Sequence, residues 1–358
     1  MPDHVKLFIP GPTEVRPDVL AEMARPIISH RGSEMAALQR EVSRQAAAIM
    51  FTAHPVLLSS SSATGLMEGG IRNGAGRRVL SLVCGAFTER WHRIALDCGK
   101  EADRLAVPWG RAIDPVEVDR ALATGRYDAL TVAHNETSTG VANPIEGIAE
   151  VVRRHPDVLF MVDTVSSLGG LPLKVDDLGI DLCLASVQKA LALPPGFSLC
   201  SVSPRMMERS RRAQGKGFYF DFTRMLDKAV KDQPLTTPSI SHMFAMRRQF
   251  EHILEEGMER RWERHRRMGA QVRAWAKDRF ALFADEAHAS DTLTCVSNTR
   301  GVDVGEMIAA LRREGMLISN GYGDLKGKAF RIAHLGELTS ADLGTLLSAI
   351  DRHLGIPS

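Results

Sequence analysis

Lys189 stands just after an apolar run, behind Ser186-Val187-Gln188 and ahead of Ala190-Leu191-Ala192-Leu193-Pro194-Pro195-Gly196. A lysine held among apolar residues has its ammonium form disfavoured, and a neutral amine can condense with an aldehyde. The other reading is an ordinary lysine at a strand end. Asp163 closes the run Val158-Leu159-Phe160-Met161-Val162 about one βαβ repeat earlier, so the two side chains could stand on neighbouring strands. A carboxylate there could keep a pyridine nitrogen protonated, as an electron-sink cofactor requires, or could simply cap the next turn. Ser62-Ala63-Thr64-Gly65 lies between a strand and a helix that begins near Leu66. Backbone N–H groups and hydroxyls at such a turn can hold a phosphate, although Ser/Thr runs there also serve as plain N-caps. Arg331, in Lys328-Ala329-Phe330-Arg331-Ile332, carries a guanidinium fork that matches a carboxylate bidentately. Taken alone, it reads rather as an edge-strand arginine in a surface ion pair.

The elements that must position these groups are short apolar runs alternating with helical stretches through roughly residue 235, the mark of a parallel α/β sheet. Strands are expected at Val56–Leu58, Val79–Val83, Ala129–Ala133, Val158–Val162, Leu182–Ala185 and Phe197–Val202. Several are continuous apolar runs, as strands covered on both faces should be. The segments that follow them hold the polar residues, and in open α/β sheets ligands bind beyond the carboxyl ends of the strands. Five such segments could therefore meet at one site. A helical region rich in Arg and Glu is expected from about Ser241 to Phe280, broken only by Gly257 and Gly269. A smaller α+β unit follows, with strands at Thr292–Val296 and Ala329–Ala333 and a helix from Val304 to about Glu314. A last helix is introduced by a Thr339/Asp342 capping box. The domains are thus 1–240, a large α/β domain with an extended N-terminal segment, then 241–280, a helical connection, and 281–358, a small α+β domain.

The chain has 358 residues, 44% of them hydrophobic, enough for two domains with sizeable cores. Its formal net charge of +2 gives no electrostatic reason to expect nucleic acid. The Arg260–Arg267 stretch is interleaved with Glu255, Glu256, Glu259 and Glu263, which supplies i,i+4 partners on a solvated helix face. Trp262 and Trp275 read as packing residues. Apolar runs are far shorter than the roughly 20 residues a bilayer requires, and no signal peptide is visible, so a cytoplasmic protein is expected. The five cysteines form no C-x-x-C pair, and the histidines show no metal-ligand spacing, so neither a disulfide framework nor a metal site is expected.

In this order and spacing the segments resemble the class V aminotransferases of the pyridoxal-phosphate fold-type I group, especially alanine–glyoxylate and serine–pyruvate aminotransferases. The resemblance spans nearly the whole chain and includes Pro10-Gly11-Pro12-Thr13, Ser29-His30-Arg31, Thr64-Gly65-Leu66-Met67-Glu68 and His134 to Gly140. Val162-Asp163-Thr164-Val165-Ser166-Ser167, Ser186-Val187-Gln188-Lys189-Ala190-Leu191 and Phe330-Arg331-Ile332 complete it. It implies that Lys189 forms the covalent link to pyridoxal 5'-phosphate, that Asp163 pairs with the pyridine nitrogen and that Val165 packs under the ring. It implies further that Phe87 stacks on the other ring face, that Thr137 reaches the phenolic oxygen, and that Ser62, Ala63, Thr64 and Gln188 hold the phosphate. Thr236, or its neighbour Thr237, would add a phosphate contact from the second subunit of a homodimer, and Arg331 would take the substrate α-carboxylate. The implied reaction is ping-pong transfer of an amino group from a small L-amino acid, serine or alanine, to a 2-oxo acid, glyoxylate or pyruvate. Phosphoserine, aspartate and aminoethylphosphonate are used by related enzymes.

Three departures from the family pattern matter. Ser61 and Ala63 stand where glycines are frequent, Thr88 stands where glycine often follows the stacking aromatic, and His334-Leu335 fall in a variable loop where substrate choice could change. A desulfurase or related lyase on the same scaffold needs a thiolate on a mobile loop, and Cys295 is expected within a strand instead. A ligand-binding relative without turnover would not need both Lys189 and Asp163.

Overall fold

A computed structural model describes residues 4–355. Helix α1 (Ser33–Met50) precedes a seven-stranded sheet made of β1 (Val56–Ser59), β2 (Arg78–Val83), β3 (Glu101–Ala106), β4 (Ala129–Ala133), β5 (Leu159–Asp163), β6 (Leu182–Ser186) and β7 (Ser198–Val202). Their order across the sheet is β1-β7-β6-β5-β4-β2-β3. Strand β7 runs antiparallel to both neighbours and every other pair is parallel. Strands β4 to β7 are buried at every position, which is why they read as continuous apolar runs. Strand β3, Glu-Ala-Asp-Arg-Leu-Ala, went unpredicted because it is the charged, half-exposed edge and carries no apolar run.

Alternating residues of the strands feed two cores. On one face Phe160 and Val162 of β5 and Leu80 and Leu82 of β2 pack with Val42 and Ile49 of α1. On the other, Leu159 and Met161 meet Leu66 and Ile71 of α2 (Ala63–Gly74). Each such side chain contributes about 1.5–3 kcal/mol on full burial. Helices α2 and α3 (Ala86–Asp97) start directly after β1 and β2, so their N-termini stand at the same edge of the sheet as the carboxyl ends of β5 and β6.

Helix α4 (Ile240–Glu256) ends at Gly257, whose φ of +81° suits glycine, and α5 (Met258–Arg279) follows at once. Gly269 does not interrupt α5, contrary to expectation. The expected solvated face on α5 also needs correction. Arg266 pairs with Glu263 at the surface, but Arg261 and His265, one turn apart, point inward and are fully buried. Burial of Arg261 is tolerated because Glu256 (2.7 Å) and Glu337 (3.0 Å) both face it. Trp262 packs on Phe51, and Trp275 packs on Phe280 and Phe330.

The second sheet contains β8 (Ala281–Leu282), β9 (Leu293–Ser297), β10 (Ser319–Asn320) and β11 (Ala329–Ala333), in the antiparallel order β8-β9-β11-β10. Its core joins Val296, Phe330 and Ile332 to Met268 and Val272 of α5 and to Leu343 and Leu346 of α7 (Ser340–Leu354), with α6 (Val304–Arg313) alongside. The reciprocal bonds of the Thr339/Asp342 capping box are formed. Phe8 belongs to this core, and Lys6–Leu7 pairs in parallel with Met316–Leu317. The N-terminal segment thus bridges from the small sheet to the site at the edge of the large one.

Candidate active site

Strands β5 and β6 are adjacent, with Asp163 opposite Leu184. Asp163, the last residue of β5, and Lys189, in the turn after β6, therefore reach one cleft, together with Phe87, Thr137 and Val165. Ser62, Ala63, Thr64 and Gln188 line the same cleft. Nine of the eleven residues predicted for the site converge here. The cleft opens to solvent and, with its mouth included, spans about 520 Å³.

Asp163 is buried and aimed at the cleft by a local turn. Thr164 N–H and Oγ1 both donate to the Leu184 carbonyl (2.8 and 2.9 Å), and Val165 N–H donates to Asp163 Oδ1 (2.7 Å). Burial pushes its carboxyl up to about 7, the Val165 N–H opposes this, Glu136 adds to it, and the positive charges of Lys189 and Arg90 resist it. The Lys189 amine is drawn down to about 8, chiefly by burial, then by Arg331 and Arg90, against the pull of Asp163. Its Nζ donates to the Pro10 carbonyl. At Gly11, where φ is +123°, a Cβ would lie 2.6 Å from Lys189 Cδ and 2.9 Å from Nζ. The Pro10-Gly11-Pro12 motif therefore lets the N-terminal segment pass against the lysine, and Thr13 Oγ1 donates to the Lys189 carbonyl (3.1 Å). Buried Arg261 fixes the next carbonyl, Ala190 O, at 2.8 Å.

Ser62 is the N-cap of α2, yet its side chain caps nothing, so its hydroxyl and the first N–H groups of the helix face the cleft without intrahelical partners. The plain N-cap reading therefore fails. Ser61 Oγ is instead tied to Ser59 and Ser198 (2.9 and 3.1 Å), and Gln188 Oε1 accepts from Ser186 (2.5 Å). Thr137 Oγ1 donates to Ser166 (2.9 Å).

Glu136 explains a departure in the sequence. Fully buried, it accepts from Phe87 N–H, from Thr88 N–H (2.9 Å) and Oγ1 (3.0 Å), and from Ser138 N–H and Oγ. It is the anionic cap of α3, and Thr88 adds a hydroxyl to that cap where glycine could not. The ring of Phe87 is held by Tyr322 (centroids 5.3 Å apart) and by Arg90, whose Cζ lies 4.8 Å from its centroid. Arg90 Nη2 donates to the Tyr322 hydroxyl (3.2 Å). Arg90 was overlooked, although it lies three residues after Phe87, the spacing that shares a helix face.

Two predicted residues lie apart from the others. Arg331 is on the inner strand β11, buried, with Nε on the Asn320 carbonyl (3.1 Å) and Nη1 on the Thr137 carbonyl (3.3 Å). It stands 5.5 Å from the Tyr322 ring, at the edge of the cleft, so the surface ion-pair reading fails. Thr236 borders a separate depression with Ser60, Tyr219 and Pro234, outside the lysine's cleft in the same chain. His334 and Leu335 do not face the cleft. His334 is buried between Thr294 Oγ1 (2.9 Å) and the Asp291 carbonyl (3.0 Å), with its pKa drawn down to about 3 by burial, and Leu335 packs on Ala190 and Leu293. Cys295 lies in β9 beside Arg331, with burial pushing its thiol up to about 12, the opposite of a poised nucleophile.

Among the described residues, no helix is long and apolar enough to cross a membrane. Comparison with known proteins agrees with the cleft's chemistry. The family model described as aminotransferase class-V matches residues 62–324. An uncharacterized aminotransferase of Methanocaldococcus jannaschii is 36% identical, over 98% of this chain and 94% of its own length. An L-aspartate–glyoxylate aminotransferase of Paracoccus denitrificans is 30% identical, over 94% and 87%. The crystal structure of an alanine–glyoxylate aminotransferase from Nostoc sp. superimposes with a TM-score of 0.93 at 29% identity, covering 99% of this chain and 96% of that one. With a half-buried amine, a buried carboxylate and a free helix N-terminus meeting at the edge of such a sheet, the chain belongs to the class-V aminotransferases and is a pyridoxal-phosphate-dependent enzyme of the fold-type I group.

Proposed function

We propose that this enzyme moves the amino group of a small L-amino acid, serine or alanine, to glyoxylate or pyruvate in two half-reactions. The observation that carries the proposal is the single cleft that joins Lys189 and Asp163 and is bordered by the Arg331 guanidinium. Glyoxylate is the acceptor in the names of both the Paracoccus relative and the Nostoc structure, and alanine is the donor of the latter.

The chain's residues fit pyridoxal phosphate. A carboxyl that burial pushes up to about 7, with one oxygen accepting from Val165 N–H and, among the described residues, no ion-pair partner, suits a protonated ring nitrogen. The unspent Ser62 hydroxyl and the N–H groups of Ala63 and Thr64 suit a phosphate, with Gln188 beside them. When bound, the cofactor supplies an electron-withdrawing ring that stabilises the negative charge left as the donor loses its Cα proton. Asp163 holds a proton at the ring nitrogen. Lys189 Nζ anchors the cofactor and then carries the proton away from the donor's Cα. Phe87 and Val165 would cover the two ring faces against water, and Thr137 would reach the phenolic oxygen. Arg331 receives the α-carboxylate through its free N–H groups.

The active unit in this reading is a homodimer in which Thr236, or Thr237, of one subunit reaches the other's phosphate. Exposed Ile27, Phe218 and Val230 support it. Arg31 donates to the Pro234 carbonyl (3.1 Å), so the segments carrying Ile27 and Val230 lie against one another. Residues 1–240 act as the cofactor-binding unit, 241–280 as the connection and 281–358 as the small unit. The test is a panel of amino donors added to the loaded enzyme without acceptor, followed by absorbance as the cofactor takes up the amino group, and then by return of the spectrum with glyoxylate or pyruvate. Failure of serine and alanine alike to change the spectrum would refute the donor assignment, and sedimentation of an active monomer would refute the dimer.

A further inference from the structure

Among the described residues Arg90, unlike Arg93 of the same helix, has no carboxylate partner. Arg93 pairs with Asp97 (3.0 Å), and nearby Arg104 pairs with Glu89 (3.1 Å). Among the described residues Arg90 makes one hydrogen bond, from Nη2 to the Tyr322 hydroxyl. Buried Glu136 cannot serve it, because backbone and hydroxyl donors occupy both its oxygens. Yet Arg90 lines the cleft beside Asp163 and Lys189, and its charge is felt at both. Among the described residues, Lys189 and Arg90 line the cleft and Arg331 stands at its edge, while Asp163 is the carboxylate that lines it.

Arg90 and Arg331 flank the same tyrosine, Arg331 with Cζ 5.5 Å from its ring and Arg90 bonded to its hydroxyl. That hydroxyl accepts from Arg90 and keeps its own proton to donate. A monocarboxylic amino acid can satisfy one guanidinium only. We infer that Arg90, backed by Tyr322, is a binding site for the side-chain carboxylate of a dicarboxylic amino acid such as aspartate or glutamate, with the α-carboxylate on Arg331. The inference rests on the aminotransferase reading of the cleft and extends its donor range beyond serine and alanine.

Two measurements on the cofactor-loaded enzyme test it. Calorimetric titration should show succinate binding at least about tenfold more tightly than butyrate, its analogue with one carboxylate, and Arg90→Gln should abolish that preference. In the donor half-reaction, Arg90→Gln should lower the ratio of kcat/KM for aspartate or glutamate to that for alanine by roughly twentyfold or more. Arg90→Lys should fall between, and Tyr322→Phe should lower the ratio by roughly three- to tenfold. If the unaltered enzyme takes the amino group of alanine or serine but binds succinate no better than butyrate, the second carboxylate site is refuted and the aminotransferase reading stands. If no amino acid changes the cofactor spectrum, both are refuted. If Arg90→Gln lowers all donors equally, Arg90 only steadies Phe87. Should Arg90→Gln fail to fold, the succinate preference of the unaltered enzyme and the Arg90→Lys ratio decide the matter.

Discussion

At one end of the cleft, Ser62, Ala63 and Thr64 are consecutive residues at the start of α2, whereas at the other Arg90, Tyr322 and Arg331 come from three elements. The first end offers backbone N–H groups fixed by the helix itself, and removing any one side chain leaves the others in place. The second offers guanidinium groups whose positions depend on packing between the two sheets, with Arg90 and Tyr322 lying 232 residues apart. An anion site made of consecutive backbone groups should be tolerant of substitution. One made of converging charged side chains should be selective and fragile.

Lys189 serves neither end, so its loss should exceed that of any residue at either. Lys189→Ala removes the only amine lining the cleft among the described residues, and no neighbouring lining side chain offers another. Turnover should fall roughly a thousandfold or more, and borohydride should no longer trap the cofactor on the protein. Substantial turnover in that variant would show that another group carries the proton.

Arg331→Lys tests the fragile end. A guanidinium fork makes charge-assisted hydrogen bonds that an ammonium cannot reproduce in pairs, each worth on the order of 1.5–3 kcal/mol. The kcat/KM for amino acid donors should fall roughly ten- to a thousandfold, while the cofactor spectrum before donor is added keeps its form. Release of the cofactor, or unchanged donor efficiency, would mean that Arg331 serves the Thr137 carbonyl alone.

The same contrast governs what could be read from the sequence. Strand β1 and strands β4 to β7 were visible because a strand covered on both faces is an apolar run, and after β1, β5 and β6 the chemistry follows immediately in the chain. Ser62–Thr64, Asp163 and Lys189 were found for that reason. Edge strand β3 has no such run, and the inward face of α5 was hidden because Arg261 and His265 are polar residues that burial makes acceptable only through Glu256, Glu337 and the Gly336 amide. Glu136 looked like any polar loop residue, since nothing local reveals that it caps a helix begun 50 residues earlier. Gly11 was noticed as part of a motif, but its close approach to Lys189 is a tertiary fact. Arg90 was missed for a different reason: its helix face was predictable, but the lack of a counter-ion was not.

A smaller effect concerns how the cofactor-free protein recaptures its cofactor. Only the neutral amine of Lys189 is nucleophilic, and with its pKa drawn down to about 8 that form gains as pH rises through 8 and is nearly complete by 9.5 or so. The capture rate should therefore rise about tenfold between roughly pH 7 and pH 9, with its midpoint near 8. Arg331 contributes to that lowering, so Arg331→Leu should move the midpoint upward. Ser62→Ala changes no charge and should leave it where it is. A midpoint near that of an ordinary lysine would mean that the amine is not held in a desolvated, positive cleft.

Ser62→Ala should give the smallest effect, and its size is what separates the two ends. The lost hydroxyl contributes one hydrogen bond to an anion that the N–H groups of Ala63 and Thr64 still face, and water can enter its place. The net contribution of such a bond is about 0.5–1.5 kcal/mol, so the dissociation constant for pyridoxal phosphate should rise roughly two- to twelvefold, read by equilibrium dialysis of the reconstituted enzyme. Donor kcat/KM at saturating cofactor should change less than in Arg331→Lys, because the lost hydroxyl carries no charge to pair with a donor carboxylate. A loss of cofactor affinity beyond roughly a hundredfold would place the phosphate on side chains rather than on the helix N-terminus. Both ends of the cleft would then be equally fragile.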